Sequence, residues 1–159
     1  MVHGRLVAIA AALAVGATVV HAQNLDAIKQ RRGVMKTIAT AGTEPFKMMK
    51  GEARFELDKV HAGLKAFQNE AAKLKTLFPD DAKTGGDSDA SLKIWQARAE
   101  FETAIDTFIS VAKTAANAIN DEATFKEEYP KVARSCGGCH KEADGFAPQL
   151  RDSFKKLKQ

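Results

Sequence analysis

The amino-acid sequence predicts an all-α protein folded as an antiparallel four-helix bundle. Residue types that favour helices fill long stretches of the chain, and runs of β-branched residues are absent after the first segment. Apolar residues recur at helical spacing in four segments that short connections separate. The 159 residues are 28% charged and 45% hydrophobic, which suits one folded domain and excludes a disordered chain.

Residues 1–22 have the features of an export signal. Arg5 gives the segment a positive start, an apolar run extends from Leu6 to Val20, and small residues at Val20 and Ala22 suit a signal peptidase. The run of about 15 residues is shorter than the roughly 20 that span a bilayer. We therefore predict a secretory signal peptide at 1–22, a domain at 23–159, a periplasmic location and no integral membrane span.

Two of the four helices are predicted in the first half of the domain. The first begins near Asn24, a favourable N-cap residue, and ends near Ala41. Pro45 disfavours a straight continuation, although residues 46–50 can resume the helix. The second helix runs from about residue 56 to 76. Its apolar residues alternate three and four positions apart, as in a helix packed against bundle neighbours: Leu57, Val60, Leu64, Phe67, Ala71, Leu74 and Phe78.

The other two helices follow a loop at residues 79–90 that is rich in Gly, Asp and Ser. The third helix is predicted over about 89–119, and the fourth from about Asp121 to beyond His140. Residues 145–159 form a basic tail that we expect to be solvated.

The charge distribution argues against nucleic-acid binding. The net charge is only +4, and the basic residues are spread along the chain. Nucleic-acid binders more often present a dense basic stripe. We therefore predict no nucleic-acid partner.

The two cysteines lie together in Cys136-Gly137-Gly138-Cys139-His140, which is the C-x-x-C-H motif of c-type haem attachment. On a helix, positions i, i+3 and i+4 share a face, so both sulfurs can bond to the vinyl groups along one haem edge while His140 reaches the iron. The two glycines disfavour a helix but allow a flat macrocycle to approach the backbone. The motif predicts one covalently bound haem c with its iron.

Three other uses of a Cys-x-x-Cys pair are alternatives. A thioredoxin-like dithiol needs strands, which the pattern does not predict. A zinc site needs more ligands, and the other histidine after the signal segment is His61. His61 falls between the apolar positions Val60 and Leu64, so we interpret it as a surface residue. A structural disulfide across so short a loop would add little stability.

With this motif near the end of a helical bundle, the chain resembles the cytochrome c′ family over about residues 24–142. Residues 30–37 (QRRGVMKT) resemble the family's first helix, in which an arginine precedes the distal residue by four positions. Residues 93–95 (KIW) resemble its third helix. Residues 77–80 (LFPD) are most similar to the low-spin, methionine-ligated members.

The resemblance implies a covalent haem c with His140 as the proximal ligand and a periplasmic role. Our first hypothesis is an electron carrier that is not an enzyme. Met35 corresponds to the residue on the other side of the iron. In the low-spin branch its sulfur binds the iron, which raises the reduction potential. In the other branch the iron is five-coordinate and binds NO or CO, and the methionine only fills space. The loop and third-helix resemblance favours ligation. Arg31, one turn before Met35, is expected to approach a haem propionate.

The resemblance also bears on partners and on one departure from the family pattern. Lysines are expected to steer the protein to acidic redox partners, and family members are often dimers through the first two helices, so a homodimer is an open alternative. The family usually has an aromatic and a basic residue three and four positions after the proximal histidine. Here these positions hold Ala143 and Asp144, and the sequence resumes at Gly145-Phe146 as if two residues were inserted.

Overall fold

The computed structural model of the protein describes the backbone of residues 3–140 and 145–147, and side chains from residue 25 onward. This part of the chain contains no β-strand. Its long helices pack consecutively around the bundle, α1 on α2, α2 on α4, α4 on α5 and α1 against α5, which confirms the predicted four-helix bundle. The helices are α1 (His3–Met49), α2 (Leu57–Leu74), α3 (Lys93–Gln96), α4 (Arg98–Ala118) and α5 (Glu122–Ser135), with two 3₁₀ turns at Asp80–Ala82 and Cys136–Gly138. Within the described residues, no helix is long and apolar enough to cross a membrane.

Helix α1 is longer than the sequence predicts. It starts at His3 rather than near Asn24 and continues through Pro45 to Met49. Pro45 is fully buried, and Gly63 of α2 packs directly against it. This tertiary contact outweighs the local preference of proline for a helix end. The helix includes most of residues 1–22, and the signal peptide stays a prediction.

Two groups of apolar side chains fill the interior, and they confirm the predicted buried face of α2. The main core consists of Val34, Ile38, Met48, Val60, Leu64, Phe67, Ala112, Ala115, Ile119, Phe125, Tyr129 and Val132. The aromatic cluster consists of Ala71, Phe78, Ile94, Phe101, Ile105 and Phe146.

The predicted third helix is broken at Ala97, whose backbone angles (φ −124°, ψ 53°) are not helical. The break directs two side chains toward the end of α2. The Arg98 guanidinium donates to the carbonyls of Lys75 (2.6 Å) and Phe78 (2.9 Å). The indole N–H of Trp95 also donates to the Phe78 carbonyl, at 3.1 Å. The Lys75 carbonyl is one that the end of α2 leaves open, and the Phe78 carbonyl belongs to the loop that follows. The break therefore serves contacts with a distant segment, which periodicity does not reveal.

The prediction that the fourth helix extends beyond His140 is wrong. Helix α5 begins with a capping box, in which the Asp121 carboxylate accepts from the Thr124 N–H at 2.8 Å. It ends at Ser135, and the chain continues in the 3₁₀ turn. The two glycines explain this end, because glycine is a poor helix former.

Candidate haem-binding site

An apolar cavity of about 220 Å³ lies between α1, α2, α4 and the end of the described chain. Side chains of both apolar groups form its walls. The five residues that the sequence singled out all line it, and they come from both ends of the domain: Arg31, Met35, Cys136, Cys139 and His140. The fold therefore brings the predicted site residues together.

The attachment motif forms one compact turn on the cavity wall. The N–H groups of Cys139 and His140 both donate to the Cys136 carbonyl, at 3.3 and 3.1 Å. The two cysteines are half-buried and not joined in a disulfide. Although the α-helix has ended, the hydrogen bond from position i+4 to position i keeps the spacing that the motif requires.

Burial governs the chemistry of Cys136. Its thiol donates to the Val132 carbonyl at 3.7 Å. Burial raises the pKa of this thiol to about 11, so it is protonated near neutral pH. Thiol–disulfide oxidoreductases need the opposite, a lowered thiol pKa. This environment therefore disfavours the thioredoxin-like alternative.

The zinc alternative gains no further ligands. His61 lies on the surface of α2, as predicted, with Nε2 2.8 Å from the Ile119 carbonyl oxygen. Among the described residues, no three or more His, Cys, Asp or Glu side chains are grouped so as to hold a metal ion.

Met35 is the methionine on the cavity wall. It is half-buried on α1 and packs against the main core. Met48 is buried within the main core and Met49 packs against it, and neither lines the cavity. Of the described methionines, Met35 is thus the one placed to reach a group in the cavity.

Arg31 is buried, with 4% of its surface exposed. Its guanidinium donates to the carbonyls of Leu77 (3.4 Å) and Ala82 (3.0 Å) and to the Ser88 hydroxyl. It also lies over the Phe78 ring, 4.8 Å from the centroid. Burial lowers the pKa of Arg31 from its ordinary value. The sequence did not indicate this anchoring role, because its acceptors are mostly backbone carbonyls.

The loop after α2 forms part of the cavity wall. Gly85 and Gly86 have φ values of +108° and +52°, in the region that favours glycine, and let the chain turn there. Asp87 then forms an ion pair with Arg32 of α1 at 2.7 Å, on the surface. Residues 87–90 line the cavity. Two adjacent arginines of α1 therefore hold this loop: Arg31 through buried hydrogen bonds and Arg32 through the surface ion pair.

The predicted solvated tail instead begins with a buried residue. Phe146 is 6% exposed, belongs to the aromatic cluster and lines the cavity. Packing in the aromatic cluster removes the Phe146 ring from water. This gain outweighs the tendency of the polar tail residues to stay in solvent, so the start of the tail is docked on the bundle. Residues 141–144 and 148–159, including Ala143 and Asp144, lie outside the described part of the chain.

The glycines of the motif are not required by packing within the protein. A Cβ atom placed at Gly137 or Gly138 would meet no described atom within 4 Å. The two glycines destabilise a helix, and no close contact within the protein explains why glycine is needed at these positions. This agrees with a requirement set by a group that binds beside them.

A helical bundle that carries a C-x-x-C-H segment on the wall of an apolar cavity is the arrangement of a bundle-type c cytochrome. A family model described as cytochrome C′ matches residues 26–142. The chain belongs to the cytochrome c′ family, and it binds one covalent haem c.

Two relatives and one solved structure support this assignment. Cytochrome c′ of Rhodopseudomonas palustris is 36% identical over 136 residues, covering 86% of this chain and 92% of that protein. Cytochrome c-556 of the same organism is 34% identical over 140 residues, with coverages of 86% and 93%. A solved structure of R. palustris cytochrome c′ gives a TM-score of 0.73 at 35% identity, covering 79% of this chain and 98% of that chain. The protein is therefore a monohaem c-type cytochrome.

Proposed function

We propose that the protein is a periplasmic electron carrier whose haem is attached through Cys136 and Cys139, with the iron bound by His140 and Met35. One observation carries this proposal. Met35 of the first helix and the attachment motif near the other end of the domain line the same apolar cavity. When bound, the haem supplies a one-electron redox centre, and a thioether ligand favours the reduced state.

The residues of the cavity fit this cofactor. Neither Cys136 nor Cys139 is in a disulfide, so both sulfurs can form thioether bonds, and imidazole and thioether groups are established iron ligands in c-type haem proteins. The apolar side chains around them exclude water, which limits solvent reorganisation around a redox centre. The chain would therefore supply attachment through Cys136 and Cys139, iron ligands at His140 and Met35, and apolar surroundings.

Arg31 supports the position of a haem propionate. Its hydrogen bonds to Leu77, Ala82 and Ser88 all go to neutral oxygens. A guanidinium has five N–H groups, so donors are left for a carboxylate. A buried positive charge is also stabilised by a negative partner. We propose that a propionate supplies that charge.

An optical experiment tests Met35 ligation. The purified haem protein is compared with Met35→Leu, and Met48→Leu serves as the matched control because Met48 is buried away from the cavity. We expect a low-spin spectrum with a sulfur-to-iron charge-transfer band in the wild type and in Met48→Leu, and loss of that band in Met35→Leu. If Met35→Leu keeps the band, Met35 is not the ligand.

The second candidate function is binding of NO or CO at a five-coordinate iron. The apolar wall around Met35 would suit an uncharged diatomic molecule if the sulfur does not bind the iron. A high-spin wild-type spectrum that changes when CO is added would support this function. It would also refute electron transfer through a methionine-ligated iron.

The cellular role follows from the export signal and the charge. We propose cleavage of residues 1–22, transfer to the periplasm, and transient docking of acidic redox partners, without catalysis of a bond-forming reaction. Mass spectrometry of periplasmic protein tests the first two points. The expected product starts at Gln23 and carries one haem, whereas a haem-free cytoplasmic product would contradict both.

A further inference from the structure

Residues Gly145–Ala147, called the strap below, return from the attachment motif to the side of the bundle formed by α3 and α4. The Phe146 ring packs edge-on against Phe101, with centroids 5.2 Å apart. The Lys93 ammonium lies 5.4 Å from the Phe146 centroid. The strap is therefore held by buried aromatic packing and a cation–π contact.

The backbone of the strap is hydrogen-bonded both to the attachment motif and to the segment before α3. The N–H groups of Phe146 and Ala147 both donate to the Cys139 carbonyl, at 3.0 and 3.2 Å. The Phe146 carbonyl accepts from the N–H of Ser91 at 3.1 Å, and His140 and Ala147 form an isolated β-bridge. The strap thus connects the attachment motif to the chain just before α3.

This connection matters because α5 ends at Ser135, before the attachment motif. The bonds within the motif are local and run from Cys139 and His140 to Cys136. Local bonds maintain the shape of a turn but do not fix its place against the other side of the cavity. The strap supplies such a long-range tie, directly beside His140.

We propose that Phe146 is a positioning residue for the haem iron, which holds Cys139 and His140 against α3 and α4 and keeps water out of the adjoining cavity wall. The inference rests on the proposed role of His140 as an iron ligand. Solvent access around a haem changes its reduction potential, because water stabilises the more highly charged oxidised state. Loss of the Phe146 ring should therefore lower the potential.

The test uses the haem-loaded protein and three variants, Phe146→Ala, Phe146→Leu and Phe125→Leu. Phe125 is a matched control because it is also buried but belongs to the main core and does not line the cavity. Spectroelectrochemical titration gives the ratio of oxidised to reduced protein at fixed potential. We expect Phe146→Ala to raise this ratio about tenfold, which is about 59 mV for one electron. Phe146→Leu should raise it less, and Phe125→Leu should leave it unchanged.

Amide hydrogen exchange supplies a second readout. Exchange at Ser91 and Ala147 should be faster in both Phe146 variants than in wild type or Phe125→Leu, because the strap loses its anchor. If Phe146→Ala fails to fold, Phe146→Leu alone decides the question. Equal shifts of the reduction potential in Phe146→Leu and Phe125→Leu would mean that any loss of core packing has this effect, which would overturn the proposal. An unchanged reduction potential together with unchanged amide exchange in the Phe146 variants would also overturn it. A wild-type protein isolated without covalent haem would instead overturn the proposed function, and this inference with it.

Discussion

Gly63 of α2 packs closely against α1, and enlarging this residue tests the packing of the bundle. A Cβ atom at Gly63 would lie 2.9 Å from the Ala41 carbonyl oxygen and 3.2 Å from Cγ of Pro45. Both neighbours are parts of α1 that cannot rotate away as a flexible side chain would. Gly63→Ala must therefore push the two helices apart.

The expected magnitude follows from two opposing terms. Replacing a helical glycine by alanine stabilises a helix by about 0.5–1 kcal/mol. Overpacking of a close interior contact costs about 1–3 kcal/mol. We therefore expect Gly63→Ala to lower the free energy of unfolding by about 1–2 kcal/mol. Gly33, which is exposed on α1 with no atom within 4 Å of a Cβ position, provides the matched control. Gly33→Ala should raise the free energy of unfolding by about 0.5–1 kcal/mol.

Urea unfolding of the haem-loaded proteins, followed by far-ultraviolet circular dichroism, measures both changes. The midpoint should fall for Gly63→Ala and rise for Gly33→Ala, with similar slopes. The helix spacing also sets the width of the cavity near Met35, so the absorption spectrum of Gly63→Ala should be checked in the same samples. A Gly63→Ala protein that is as stable as Gly33→Ala would refute the packing argument.

Three further changes test other parts of the fold. The Tyr129 hydroxyl is buried without a hydrogen-bond partner in the described structure, so Tyr129→Phe should raise the free energy of unfolding by about 1 kcal/mol in thermal or urea denaturation; a loss of stability would indicate a partner. Arg98→Gln breaks bonds to two carbonyls and should lower the unfolding free energy by about 1 kcal/mol, since the side chain is partly exposed. The bond from the Thr124 N–H lowers the pKa of Asp121 below its ordinary value of 3.8. Its stabilising effect is therefore complete above that value and is lost as the pH falls through the lowered pKa of the folded state. Acid titrations of stability should show a smaller loss for Asp121→Asn than for wild type, and equal losses would contradict this assignment.

The elements that the sequence predicted well are those set by local chemistry. Apolar spacing places the buried face of α2, and the attachment motif is recognisable from five adjacent residues. Met35 and Arg31 line the same cavity as that motif. Their expected roles toward the iron and a propionate stay predictions.

The features that the sequence did not predict depend on distant partners. The break at Ala97 follows from carbonyls at the end of α2, which Arg98 reaches only in the folded chain. The persistence of α1 through Pro45 depends on the missing side chain at Gly63. The burial of Phe146 depends on Phe101, far away in sequence. The one available signal for Phe146 was an aromatic residue after a glycine in an otherwise polar segment.

The placement of the proposed ligands at opposite ends of the domain has a consequence for unfolding. The thioether bonds and His140 belong to one five-residue segment, so the chromophore stays attached to an unfolded chain. Met35 can reach it only after the long segment between Met35 and Cys136 has closed into a loop, at an entropic cost that docking of α1 must offset. With the proposed ligation, the sulfur-to-iron band therefore reports on docking of the first helix. The protein would thus carry an intrinsic colour probe that separates the loss of α1 from the melting of the other helices.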